Sequence, residues 1–116
     1  MLGEKARHNM RIDSHRYNSN VIRLANNNLV DTTGLYRMAL DVVEFPEDIA
    51  WLDLSFNEIT AVSNDILEFP ALKMLYLHGN KIKRFADLSK LQQLPNLYSL
   101  TLHGNPIENF PNYRYV

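Results

Sequence analysis

The sequence contains no cysteine, so it has neither a disulfide framework nor a thiolate metal site. Glycine is also scarce, with four residues in 116, and none of them belongs to a phosphate-binding loop. There is no run of about 18 apolar residues that could span a bilayer. The first 16 residues lack the apolar centre of a signal peptide. These absences predict a soluble, cytoplasmic protein that does not enter a membrane.

A strong net charge is missing too, since the formal value is −1 at pH 7. The molecule as a whole therefore has no general attraction for nucleic acid or for anionic lipid. No basic stripe interleaved with aromatic residues indicates nucleic-acid binding. The acid pairs lie in connectors, with no sign of a shared cleft that would perturb their pKa values. We accordingly predict no enzymatic activity, no cofactor and no nucleic-acid partner.

The sequence does contain a repeated six-residue motif. LYLHGN at 75–80 returns as LTLHGN at 100–105. Both fit a template with apolar residues at positions 1, 4, 6 and 11 and asparagine at position 9, and matches begin at residues 19, 49, 72 and 97. The first match departs only at its start, where Ser19 replaces an apolar residue. The spacing is typical of leucine-rich repeats.

Positions 4 and 6 alternate as a short strand does, so their side chains are predicted to point inward while positions 3, 5 and 7 face outward. The inward pairs are expected to stack into columns: Ile22/Leu24, Leu52/Leu54, Leu75/Leu77 and Leu100/Leu102. The turn after each strand leaves buried backbone groups, which an amide side chain can satisfy with both donors and acceptors. A structural ladder of asparagines is therefore predicted at Asn27, Asn57, Asn80 and Asn105.

The connectors between strands are predicted to form the outer wall. Apolar residues from Leu35 to Val43 recur at helical spacing and end before Pro46. From Phe85 to Leu94 the apolar period is three, which suits short helical or 3₁₀ turns. The predicted fold is thus an α/β leucine-rich repeat solenoid, with a short parallel sheet on the concave face and helical or 3₁₀ connectors on the convex face.

The domain boundaries follow from the template. Residues 1–18 are predicted to be an N-terminal arm or cap, and residues 19–116 the repeat domain, with an incomplete C-terminal cap at 108–116. Because a terminal repeat exposes one side of the core, we expect Leu100, Leu102 and Ile107 to need a cover. That cover is either further chain or another protein, and without it residues 1–116 should be marginally stable or self-associating.

From about residue 18 onward the chain resembles the intracellular leucine-rich repeat proteins of the protein-phosphatase-regulator type. The resemblance is carried by IAWLDLSFNEIT (49–60), MLYLHGNKIKR (74–84) and LPNLYSLTLHGNPIENFPNYRYV (94–116). It implies a cytoplasmic protein of ciliated eukaryotes without catalytic activity. Small proteins of this general type, including a dynein light chain, are built into axonemes, so a ciliary location is implied as well.

The outward positions of a repeat sheet usually form the partner-binding surface. Trp and Tyr dominate such surfaces because they bury a large area at little entropic cost. The alternative is that Trp51 and Met74 pack against the N-terminal arm. Template position 7, just after each strand, is held by Ala25, Ser55, His78 and His103, and all four are predicted to face outward. The candidate partner-binding residues are Val21, Arg23, Trp51, Asp53, Met74, Tyr76, His78, Ser99, Thr101 and His103.

Two smaller features carry weaker hypotheses. His78 and His103 share position 7 in adjacent repeats, but no third ligand is evident, so no metal site is predicted. Lys81, Lys83 and Arg84 could contact an acidic partner such as a tubulin tail, or a phosphate backbone. A solvated edge is the simpler interpretation of such a basic run.

Two functional hypotheses remain. The first is a non-enzymatic protein–protein interaction module, in its most specific form a structural component of a ciliary axoneme or another cytoskeletal assembly. The second is a regulatory subunit that binds an enzyme such as a protein phosphatase.

Overall fold

The structure, a computed structural model, describes residues 20–110. The predicted N-terminal arm lies outside this range, as do residues 111–116 of the predicted C-terminal cap. Six regular elements follow one another: β1 (Val21–Arg23), α1 (Leu35–Val42), β2 (Trp51–Asp53), β3 (Met74–Tyr76), α2 (Phe85–Ser89) and β4 (Ser99–Thr101). Four 3₁₀ helices complete the connectors: Pro46–Asp48, Asn64–Glu68, Lys90–Gln93 and Pro106–Asn109.

The four strands form one parallel sheet in chain order. The pairing places identical template positions side by side, so that Leu52 lies beside Leu75 and Leu75 beside Leu100. The connectors between them run along the opposite side, and each of the three crossovers contains α or 3₁₀ helix. The predicted leucine-rich repeat solenoid is therefore confirmed.

Both connector predictions agree with the structure. Helix α1 buries Leu35, Met38 and Ala39 and ends at residue 42, as the apolar spacing predicted. Pro46 then opens a 3₁₀ turn, because its fixed φ suits the first helical position. The stretch with a period of three becomes α2 followed directly by the 3₁₀ helix at residues 90–93.

The prediction for the end of the solenoid is wrong in part. Leu100 lies in the inner column beside Leu75, and its exposure of 36% agrees with the expectation that it needs a cover, because β4 has no following strand among residues 20–110. Ile107 was expected to need a cover, yet it is fully buried. It lies in the last 3₁₀ turn, which folds back so that the Ile107 N–H donates to the Ile82 carbonyl at 2.9 Å. Leu102 is only 9% exposed.

The asparagine at template position 9 joins adjacent repeats. Nδ2 of Asn80 donates to the carbonyls of Leu54 and Leu77, each at 3.0 Å, and Oδ1 accepts from the Ile59 N–H at 3.0 Å. The same three bonds recur at two further residues: Asn57 and Asn105. Asn27 differs, being half-buried with its Nδ2 bonded to Ala25 of its own repeat. One amide per turn thus satisfies backbone groups that water cannot reach.

Candidate functional site

The outward positions of the sheet form three rows across the concave face. Positions 3 and 5 lie on the strands in register, and all eight of their residues are half-buried or exposed. Position 7 follows each strand. Here the prediction is wrong for Ser55, which is buried. Its hydroxyl turns back and donates to Oδ1 of Asp53 at 2.7 Å, and its N–H bonds the same oxygen at 3.1 Å.

A continuous row of ring contacts crosses this face. The Arg23 guanidinium lies 5.5 Å from the centroid of Trp51, and the Trp51 ring meets Tyr76 edge-on at 5.3 Å. Tyr76 lies 5.7 Å from His78, which stacks on His103 at 4.6 Å with an interplanar angle of 12°. These five residues, hereafter the aromatic row, connect all four repeats. Such pairs interact favourably beyond their buried area.

Trp51 and Met74 are both half-buried. The indole Nε1 of Trp51 is shielded from solvent and has no acceptor among residues 20–110. Whether these two side chains pack against the predicted arm concerns residues outside the described range, so that alternative remains a prediction. The remaining candidates on the strands, Val21, Ser99 and Thr101, are also half-buried.

His78 is held by its neighbours in one orientation. Its Nδ1 lies 2.7 Å from Oγ1 of Thr101, and that hydroxyl oxygen also accepts the Leu77 N–H at 3.2 Å. Burial lowers the pKa of His78 below 6.5, and the charge of His103 lowers it further, while Asp53 opposes both effects. The neutral imidazole is therefore favoured, and Nε2 makes no hydrogen bond within residues 20–110.

The histidine pair does not form a metal centre with other ligands in this part of the chain. Among residues 20–110 no three His, Cys, Asp or Glu side chains are grouped so that they could hold an ion. The two imidazole planes are stacked instead of converging on a point. The two stacked imidazoles instead present their ring edges at the concave face.

Phe56 belongs to this site but was missed by the sequence analysis. It occupies template position 8, where the backbone is left-handed: φ is 62° at Asn26, 56° at Phe56, 74° at Gly79 and 76° at Gly104. The Phe56 side chain is 56% exposed, and its ring meets His78 edge-on at 5.1 Å. A single aromatic residue in a position otherwise held by Asn or Gly was the signal that could have revealed it.

Two of the three residues of the basic run, Lys81 and Arg84, already contact carboxylates of this chain. Lys81 forms an exposed ion pair with Glu58 at 3.8 Å. Nε of Arg84 lies 3.4 Å from Oδ2 of the buried Asp87, whose Oδ1 accepts the Val62 N–H. Lys83 is exposed and has no ion pair within residues 20–110. Arg84 is therefore exposed at the surface and at the same time bound to a buried aspartate of its own chain.

A model of the leucine-rich repeat family matches residues 47–107. The chain belongs to the leucine-rich repeat family. Proteins of this family and this fold are typically protein-interaction modules without catalytic activity. No helix within residues 20–110 is long and apolar enough to cross a membrane.

This leucine-rich repeat chain is similar to "Leucine-rich repeat-containing protein 51" of Homo sapiens, with 47% identity over 71 residues. The match covers 61% of this chain and 37% of that protein. The Bos taurus protein of the same name is 41% identical over the same length. The resemblance to leucine-rich repeat proteins stated from the sequence is therefore confirmed, and the match spans 37% of the length of this curated relative.

Two solved structures share the fold. One is the Drosophila melanogaster SNF/U2A′ complex, with a TM-score of 0.67 and 28% identity, covering 82% of this chain and 51% of that one. The other contains the Chaetomium Mex67:Mtr2 subunits, with a TM-score of 0.61 and 26% identity, covering 82% and 70%. Neither is described as a ciliary assembly.

Proposed function

We propose that this chain binds a protein partner through its concave face, with the aromatic row at the centre of the contact. The observation that carries the proposal is the uninterrupted series of ring contacts from Arg23 to His103, outside the apolar core. Trp, Tyr and Arg are the residue types most enriched at binding hot spots. Half-exposed rings already fixed by their neighbours lose little entropy on association.

The most specific form of the proposal is a structural component of a ciliary axoneme or another cytoskeletal assembly. It rests on the resemblance described from the sequence, which implies a protein of ciliated eukaryotes. Both similar structures contain two different proteins, SNF with U2A′ and Mex67 with Mtr2, which supports partner binding in general. The alternative is a regulatory subunit of an enzyme such as a protein phosphatase, which rests on the type of repeat alone.

Affinity capture from an extract of ciliated cells tests the proposal. The purified chain is compared with the double variant Trp51→Ala/Tyr76→Ala, which removes the two largest rings of the row. We expect cytoskeletal or dynein components to be recovered by the wild type and lost, by about tenfold or more, from the variant, because hot-spot truncations cost 2 kcal/mol or more, roughly a factor of 30 in affinity.

The matched control is Leu40→Ala, which truncates an exposed apolar residue on α1, away from the sheet. Circular dichroism establishes that all three proteins are folded. Equal recovery by the double variant contradicts the assignment to the concave face. Recovery of a phosphatase catalytic subunit, lost in the double variant, favours the regulatory alternative.

A further inference from the structure

A groove lies between α1 and the 3₁₀ helix Asn64–Glu68, on the side of the solenoid opposite the sheet. Its volume is about 510 Å³, within the range of clefts that bind ligands. Tyr36 and Leu40 supply its apolar surface, and Leu40 is 45% exposed. Because Leu40 lies outside the stripe that α1 buries, the core does not need this side chain.

Two carboxylates, those of Asp65 and Glu68, line the groove. Asp65 accepts the N–H groups of Gly34 at 2.8 Å and of Tyr36 at 3.4 Å. Both bonds use Oδ2, and Oδ1 accepts none within residues 20–110. Accepting these bonds leaves the negative charge of Asp65 in place. Glu68 is exposed.

The surface around the groove has a strong excess of negative charge. Helix α1 packs against both 3₁₀ helices that follow it in the chain. The stretches 35–48 and 64–68 carry six exposed or half-buried acids: Asp41, Glu44, Glu47, Asp48, Asp65 and Glu68. Their one base is Arg37, which also lines the groove. The packed 3₁₀ helix Lys90–Gln93 adds Lys90, whose ammonium donates to the Val62 carbonyl. Six carboxylates therefore face two cations in this part of the described chain.

This charge excess selects the class of ligand. Nucleic acid and anionic lipid carry phosphates of the same sign and are repelled. Among residues 20–110 no three His, Cys, Asp or Glu side chains are grouped so that they could hold a metal ion. A protein segment that combines lysine or arginine with apolar side chains complements both the charge of this surface and the apolar lining of the groove.

We propose that the groove between α1 and Asn64–Glu68 docks a basic, apolar segment of a partner protein. An apolar side chain of that segment packs on Tyr36 and Leu40, and its cations lie beside Asp65 and Glu68. This surface is separate from the aromatic row, which lies on the concave face. The chain then has two interaction surfaces on opposite sides of the solenoid and can hold two proteins together.

Fluorescence anisotropy tests the proposal with a labelled peptide in which two leucines are flanked by four lysines on each side. We expect binding at pH 7.5 in 50 mM NaCl, and an affinity at least about threefold lower in 500 mM NaCl, because salt screens exposed charges. Replacing the two leucines by serines should weaken binding about tenfold or more, since the apolar contact is lost. A peptide with glutamates in place of the lysines should not bind.

Charge variants locate the binding site. Glu44→Gln/Glu68→Gln removes two charges at nearly constant shape and should weaken binding about threefold or more. Glu58→Gln/Glu108→Gln is the matched control, because it removes two exposed charges that do not line the groove. We expect the control to bind within about twofold of the wild type.

A second pair of variants tests the apolar contact. Leu40→Ala should weaken binding of the leucine peptide and leave the weaker binding of the serine peptide unchanged. Val30→Ala, which truncates an exposed apolar residue outside the groove, should change neither. Circular dichroism and thermal melting establish that every variant is folded.

Three outcomes overturn the proposal: no binding of the lysine peptide in 50 mM NaCl, equal binding of the leucine and serine peptides, or equal losses in the two charge variants. The second and third would indicate unspecific attraction between opposite charges. None of them bears on the Trp51→Ala/Tyr76→Ala capture experiment. Leu40→Ala should keep the components that depend on the aromatic row, so the two surfaces are tested independently.

Discussion

The imidazole of His78 illustrates how a single side chain can depend on the adjacent repeat. Thr101 of the next repeat bonds its Nδ1, and the ring of His103 covers one of its faces. Burial and the charge of His103 lower its pKa, although Asp53 acts in the opposite direction. Protonating this ring in the folded protein is therefore harder than protonating it in the unfolded chain.

This difference predicts a pH dependence of stability. The unfolded state binds more protons once the pH drops below about 6.5, the ordinary pKa of histidine, so the contribution of His78 is complete above that value and is lost below it. We expect the free energy of unfolding to fall between pH 7 and pH 5.5. Urea denaturation at several pH values should show a shallower fall for His78→Gln. An identical slope in the two proteins would exclude this histidine as the cause.

In the turn after each strand, the asparagine at template position 9 bonds backbone groups of two adjacent repeats at three of the four positions. Asn80 satisfies two carbonyls and one N–H belonging to two repeats, all of them away from water. Asn27 occupies the same template position and is half-buried, and within residues 20–110 its side chain bonds only the Ala25 carbonyl of its own turn. We therefore expect Asn80 to contribute more than Asn27 to the free energy of unfolding.

Alanine substitution should make this inequality measurable. Asn80→Ala leaves the buried Ile59 N–H without a partner, which costs about 1–3 kcal/mol. It also removes one of the two side-chain bonds that the Leu54 and Leu77 carbonyls each accept, so we expect a total loss of about 2–4 kcal/mol in the free energy of unfolding. Asn27→Ala should cost less than about 1 kcal/mol, because water can replace the one bond that its side chain makes within residues 20–110. Chemical denaturation of both variants checks the comparison. Similar losses would show that the asparagines are not acting as links between repeats.

At the scale of the whole molecule, position along the solenoid decides burial. Leu75 and Leu100 occupy the same inward template position on adjacent strands, but Leu75 is completely buried and Leu100 is 36% exposed. A terminal repeat lacks the neighbour that would complete its side of the core. The inner column therefore loses its shielding at β4.

The two leucines form a matched pair for testing this end effect. Leu75→Ala should lower the free energy of unfolding by about 2–5 kcal/mol, the usual range for a fully buried leucine. Leu100→Ala should cost roughly 1 kcal/mol, because part of its surface is already in contact with water. Both losses are measured from the midpoints of urea denaturation, provided that the dependence of the unfolding free energy on urea concentration is the same in the two variants and the wild type. A large loss at Leu100 would indicate that this side chain is covered in solution, for instance by self-association.

Much of the fold was predictable from the sequence because a repeat encodes it several times over. The alternation at positions 4 and 6 gave the strands, the spacing of the matches gave their parallel register, and the need to satisfy buried turns explained Asn57, Asn80 and Asn105. The outward rows were predictable for the same reason. Each inference used only local periodicity and contact between neighbouring repeats.

The tertiary structure alone decided the features that differ between copies of the template. Burial of Ser55 depends on a hydrogen bond to Asp53, and burial of Ile107 depends on the 3₁₀ turn that brings its N–H to the Ile82 carbonyl. The position of the Phe56 ring depends on the space left by Gly79 in the next repeat. Periodicity assigns a residue to a face of the sheet, whereas the packing of adjacent turns determines where that side chain lies and what remains exposed for a partner.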